Sequence, residues 1–197
     1  MPGMVMPGDP KPDNEQSKPE TEMSGDVAKS NNADENKKST PMLLKIDVDM
    51  DFTMQLNTVY DQYIVLKNDF VLSDEKKVTQ AAQKVQQVLS DVDMELLSGD
   101  AHTKWMEISG NLNNQLKIIV SSGKLEDQRI AFAIFNDNFY KGIKTFGLMG
   151  KTVFYQFCPM MNKGIGAYWL SETSDIRNPY YGESMLTCGE TKEILKY

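Results

Sequence analysis

Between Leu56 and Phe146, apolar residues recur at three- to four-residue spacing in four successive runs, separated by breaks of only a few residues. The first run carries Leu56, Val59, Tyr60, Tyr63, Leu66 and Phe70, and the second Val78, Ala81, Ala82, Val85, Val88, Leu89, Val92 and Leu96. The third carries Trp105, Ile108, Leu112, Leu116, Ile119 and Val120, and the fourth Leu125, Arg129, Phe132, Phe135 or Ile134, Phe139, Ile143 and Phe146. These runs predict helices over about 53–72, 74–97, 101–121 and 125–146. Ser73 breaks the first from the second, with Asp74 and Glu75 suited to a new N-terminus. Asp100 fits an N-cap for the third helix, and Gly123 fits a left-handed cap at its end. Short links between amphipathic helices make antiparallel neighbours, so the expected fold is mainly α, an antiparallel four-helix bundle.

The segments flanking these runs differ from them and from each other. Residues 1–41 hold six of the eight prolines and no aromatic residue. Their apolar content is too low to offset the entropy of ordering, so the expectation is a disordered Met/Pro-rich arm or linker ahead of a domain at 42–197. Residues 1–25 lack the basic and apolar regions of a secretory signal. Lys45–Phe52 alternates Ile46, Val48, Met50 and Phe52 with Asp47, Asp49 and Asp51, as an extended lead-in with one face on the core. The spaced aspartates do not make a calcium loop, because the sixth position is Phe52 rather than Gly and the twelfth is Thr58 rather than Glu. After Gly147 the pattern changes: Lys151–Cys158 is β-branched and aromatic, and Gly164, Gly166, Asn178-Pro179 and Gly182 mark turns. About 150–197 reads as an irregular lobe with a short strand, packed on the helices.

Charge and residue inventory narrow the function classes. The net charge of −7 disfavours a protein that coats phosphate backbones, so no nucleic-acid partner is expected. No run of 18 apolar residues occurs, so no direct membrane insertion is expected. Phosphate-binding glycine loops and acyl-transfer motifs are missing from the sequence, and the single His102 reads as a surface residue at the start of the third helix. The expectation is a non-enzymatic protein with no catalytic residue.

Sulfur is the exception to this plain inventory, with 13 Met and two Cys. Cys158-Pro159-Met160-Met161 precedes Met185-Leu186-Thr187-Cys188. Residues 158 and 160 share a side of an extended strand, and 185 and 188 share a face of a helical turn. Two thiols with two or three thioethers form a soft donor set that selects Cu(I) or Ag(I). The candidate metal ligands are therefore Cys158, Met160, Met185 and Cys188, with Met161 and the arm residues Met1, Met4 and Met6 as weaker ones. Two other readings stay open: a Cys158–Cys188 disulfide, and reduced buried cysteines with Met filling gaps.

The same lobe carries a set of blocks: Phe157-Cys158-Pro159-Met160, Gly166-Ala167-Tyr168-Trp169-Leu170-Ser171, Ile176-Arg177-Asn178-Pro179-Tyr180-Tyr181-Gly182 and Met185-Leu186-Thr187-Cys188-Gly189-Glu190. Together with Tyr63-x-x-Leu66-Lys67 and Gln128-Arg129-x-x-Phe132, they resemble a bacterial envelope domain of unknown function. That domain occurs alone or appended to periplasmic adaptor (membrane-fusion) subunits of heavy-metal RND efflux pumps of the copper/silver and cobalt/zinc/cadmium types. The resemblance spans about 53–192. It implies a periplasmic or envelope setting, a link to copper and heavy-metal handling, and an efflux adaptor or pump as partner. It also implies Cys158, Met160, Met185 and Cys188 as shared sulfur positions. Many relatives carry His before the Cys-Pro-Met, where this chain has Phe157. Trp169, Tyr180 and Tyr181 are expected to pack the lobe onto the helices, and Arg177 to hydrogen-bond neighbouring carbonyls or acids.

Overall fold

The computed structural model describes residues 45–197; the expected arm, with Met1, Met4 and Met6, lies outside them. The described chain is mainly helical, with four long helices and a small three-stranded antiparallel sheet at its C-terminal end. The helices are α1 (Met50–Leu72), α2 (Glu75–Ser90), α3 (Gly99–Ser121) and α4 (Leu125–Phe146). α1 packs on α2, α2 on α3, and α3 on α4.

The helix starts and ends follow from local hydrogen bonding. The Asp47/Val48 alternation stops at Asp49, whose side chain accepts from Asp51 N at 2.7 Å and opens α1. Upstream, Ile46 N donates to Thr145 O at 2.8 Å, which ties the extended lead-in to the end of α4. Ser73 takes a left-handed conformation (φ 56°) and Asp74 then caps α2 through Lys77 N at 3.1 Å. α2 ends at Ser90, earlier than its periodicity suggests. Asp93 Oδ1 accepts from Glu95 N at 2.9 Å, a side chain taking a backbone donor where the chain turns into a short 3-10 segment, Met94–Leu96. Ser98, not Asp100, holds the N-cap position of α3, and Asp100 lies in its first turn. α3 closes on Ser122 in an extended conformation, so Gly123 supplies no left-handed cap. Gly147 ends α4 with φ 78°.

Leu56, Tyr63, Val85, Trp105, Leu116, Phe132 and Phe139 are all buried, as their spacing requires. Phe52, Trp105 and Phe146 meet edge to face at one end, with centroids 5.2–5.8 Å apart. Tyr63 lies against Phe132, Phe135 and Phe139, which brings α1 against α4.

The lobe is more ordered than its glycines suggest. It contains β1 (Thr152–Cys158), β2 (Ala167–Ser171) and β3 (Glu190–Lys196) in the order β2-β1-β3, where a single short strand in an irregular lobe is the sequence expectation. Both pairings are antiparallel; Cys158 faces Ala167 on one side, and Phe157 faces Tyr168 and Glu190. Val153, Cys158, Trp169, Leu170, Tyr180 and Leu195 belong to the same buried cluster as the helix residues, so lobe and helices share one core.

Candidate functional site

Alternation along β1 sets which side chains share a face. Gln156 and Cys158 lie on one face, with Trp169 and Ala167 opposite them on β2. The segment between β2 and β3 covers this face. Gln156 Nε2 donates to the carbonyls of Thr173, Ser174 and Asp175 at 3.2–3.4 Å. Gly189 takes φ 149°, and a Cβ there would sit 2.8 Å from Phe157 O and 2.8 Å from the Trp169 ring. Only glycine lets the chain enter β3 this close to β1.

Asn178 fixes the rest of the covering segment. Its Oδ1 accepts from Tyr180 N at 2.8 Å, its Nδ2 donates to Cys188 O at 2.8 Å, and its backbone N donates to Leu186 O at 2.8 Å. One buried amide thus closes a turn and holds the cysteine-bearing loop. The short 3-10 segment Gly182–Met185 follows, and Cys188 N donates to Met185 O at 3.0 Å.

These contacts locate the sulfur residues. Cys158 is fully buried at the end of β1, and Cys188 is half-buried in the loop that leads into β3. With Phe157 opposite Glu190 and Gly189 against the Phe157 carbonyl, the two cysteines lie at the same end of the sheet. Both are free thiols, so the disulfide pairing is not formed in the structure. Met160 (50% exposed) and Met185 (37% exposed) lie two and three residues along the chain from Cys158 and Cys188, and Met160 O accepts from Tyr181 Oη at 2.9 Å. Met161 is buried and lines a cleft of about 410 Å³ with Glu126, Arg129, Ile130 and Tyr181. The turn that carries it is strained: Asn162 and Lys163 have φ of 55° and 58°. Among the described residues no three His, Cys, Asp or Glu side chains converge as a metal-holding group.

Several polar joints that spacing alone does not reveal attach this loop to the helices. Tyr63 Oη donates to Asn136 Oδ1 at 2.6 Å and accepts from Leu170 N at 2.9 Å. Asn136 Nδ2 donates to Phe132 O at 2.8 Å and to Tyr180 Oη at 3.2 Å, and Tyr180 Oη donates to Tyr168 O. Burial pushes both phenols well above their ordinary pKa, so they stay protonated donors. Lys67, fully buried, reaches Glu172 Oε2 at 2.7 Å. Burial lowers the Lys67 pKa against the support of Glu172. Burial works to raise the Glu172 pKa, but the bonds from Lys67 outweigh it and hold the carboxyl below its usual range. Arg129 donates to Pro179 O at 3.0 Å, Phe70 O at 3.2 Å and Ser73 Oγ at 2.8 Å. Arg129 thereby takes the carbonyl-binding role that the sequence suggests for Arg177, which is exposed. Gly182, at φ 55°, presses on the α1–α2 turn, where a Cβ would meet Ser73 Oγ at 2.3 Å.

The Tyr63, Lys67 and Arg129 positions in the upstream blocks are therefore attachment points for the downstream ones. Trp169 and Tyr180 are buried and pack edge to face at 6.0 Å, as expected of packing aromatics. Asn136, Gln156 and Glu172 were not legible as site residues, because a lone amide or acid in a run carries no periodic signal.

The fold and site define a helical domain with a small antiparallel sheet that presents thiols and thioethers. Residues 59–151 are similar to the family described as "Protein of unknown function (DUF3347)". That match runs from within α1 to the residue before β1 and leaves the sulfur-bearing lobe outside it. No curated protein and no solved structure matches the chain. No helix among the described residues is long and apolar enough to cross a membrane.

Proposed function

We propose that this chain is a non-enzymatic domain of the bacterial envelope, periplasmic in setting, whose lobe binds Cu(I) or Ag(I) and assists its transfer to a heavy-metal efflux system. The observation that supports the reading is two free thiols toward one end of a small sheet, with two exposed methionines within three residues of them along the chain. Cys158 and Cys188 supply thiolates, releasing their protons as the metal binds. Met160 and Met185 supply neutral sulfur at the entrance, where an incoming ion meets them first. Cys188, half-buried, is the first thiolate reached; a small displacement of its loop uncovers Cys158. The four helices serve as an antiparallel four-helix bundle that holds the lobe rigid, a reading supported by their short links and shared aromatic core. The resemblance of the lobe blocks to domains appended to RND efflux adaptors supports such an adaptor or pump as recipient.

A second reading has its own support. Asn178, Tyr180, Gly182 and Gly189 all serve to seat the lobe on the helices, and Cys158 is covered. In this reading the domain is a structural interaction module that docks on an efflux adaptor, for which the sequence suggests a Cys158–Cys188 disulfide staple; both thiols are free in the structure. Titration of the reduced chain with Cu(I) against a competing chelator separates the two. Metal binding that exceeds that of a Cys158→Ser, Cys188→Ser variant supports the first reading, and equal binding supports the second.

A further inference from the structure

A second group of sulfur atoms lies on the opposite region of the molecule. Met50 and Met54 are one helical turn apart on α1, and Asn57 continues the same solvent face at the next turn. Asn57 clamps the backbone of Met149 from both sides: its Nδ2 donates to Met149 O at 2.9 Å, and its Oδ1 accepts from Met149 N at 3.0 Å. Lys151 then pairs with Asp61 at 2.6 Å, one turn further along. The segment after α4 is thus strapped along α1, with the Met149 backbone fixed at Asn57, one turn beyond Met54. Met50 and Met149 line one cavity of about 240 Å³, together with Asp47 and Thr53.

All three methionines are exposed, at 63%, 50% and 41%. None fills a gap in the core, which is the ordinary use of methionine. The strap seats Leu148 in the core and leaves the neighbouring Met149 side chain outside. Asp47 and Lys45 line the same cavity with opposite charges, and Asp49 caps α1, so sulfur rather than charge is what the site offers an ion.

We propose that Met50, Met54 and Met149 form a soft-cation site, separate from the lobe cysteines, that takes Cu(I) or Ag(I) through three thioethers. Thioether sulfur binds these ions in preference to harder divalent ones. It carries no titrating proton, so occupancy is insensitive to pH where thiolate sites are not. The site stands on its own residues and does not depend on metal binding by Cys158 and Cys188.

The test uses the full chain with its 13 methionines labelled as ¹³C-methyl groups, assigned through single Met→Leu variants. Ag(I) is titrated into the natural chain and into the Cys158→Ser, Cys188→Ser variant. The methyl signals of Met50, Met54 and Met149 should shift together over one range of added ion in both chains. Met94 and Met106, exposed but isolated, should move less. Met54→Leu should abolish the shifts of Met50 and Met149, while the helical circular dichroism stays unchanged. Shifts no larger than those of Met94 and Met106, or shifts of Met50 and Met149 that survive Met54→Leu, overturn the site. A response that disappears with the cysteines also overturns it, because it would make the methionines report on the lobe.

Discussion

The helices and the lobe are held by different physics. α1 to α4 are set by apolar periodicity, and their interior is a continuous row of aromatic and aliphatic side chains. The lobe has little regular periodicity. It is held by single polar groups, each satisfying several backbone atoms, and by glycines that let chain segments touch. Asn178 fixes three segments, Gln156 donates to a run of carbonyls, and Gly189 and Gly182 sit where a Cβ has no room. Removal of apolar bulk should therefore be felt across the helices, whereas loss of one amide or one glycine should loosen the lobe first.

The largest effect is expected within the helices. Trp105→Ala removes a fully buried ring packed against Phe52 and Phe146 and should cost about 3–5 kcal/mol, read as a lower urea midpoint of the whole chain. Next comes the joint between the regions. Asn136→Ala strips partners from the buried hydroxyls of Tyr63 and Tyr180 and should cost about 1–3 kcal/mol. Hydrogen exchange should quicken at Leu170 N, which Tyr63 holds, more than in the middle of α3. Equal acceleration in both would remove the distinction between the regions.

Gly182→Ala should cost about 1–3 kcal/mol through its left-handed backbone and the clash with Ser73 and Val71. Its signature is faster exchange around Cys188 with α2 and α3 unchanged. The smallest effect is electrostatic. Glu172 titrates below its unfolded value, so the stability it supplies is complete above the unfolded carboxylate pKa of about 4.3 and is lost as the pH falls through the lower folded value. The stability difference between the natural chain and Glu172→Gln should therefore shrink on acidification from neutrality into that range; a difference constant with pH would contradict the Lys67 pair.

The same contrast explains what was legible in the sequence. The positions of all four helices followed from spacing, because burial of one face imposes a 3.6-residue period. The end of α2 did not, since Val92 and Leu96 keep the apolar pattern while Asp93 takes the Glu95 backbone donor and turns the chain. β2 and β3 escaped notice for different reasons. β2 has only five residues, and β3 (ETKEILK) is a charged edge strand whose lysines and glutamates are weak strand formers but suit an exposed edge. The sulfur positions were read from the sequence, and the structure puts the two cysteines at one end of the sheet. The burial of Cys158 was not legible, because it depends on a loop that Asn178 holds from twenty residues away.

The central claim is the proposal that the lobe binds soft metal through its two thiols. X-ray absorption of the reduced full chain, loaded with one equivalent of Cu(I), examines the ligands directly. The account predicts a first shell that contains thiolate sulfur, whereas the Cys158→Ser, Cys188→Ser variant loses the thiolate share and keeps thioether sulfur alone. A shell of nitrogen and oxygen, or a sulfur shell unchanged in that variant, would contradict it.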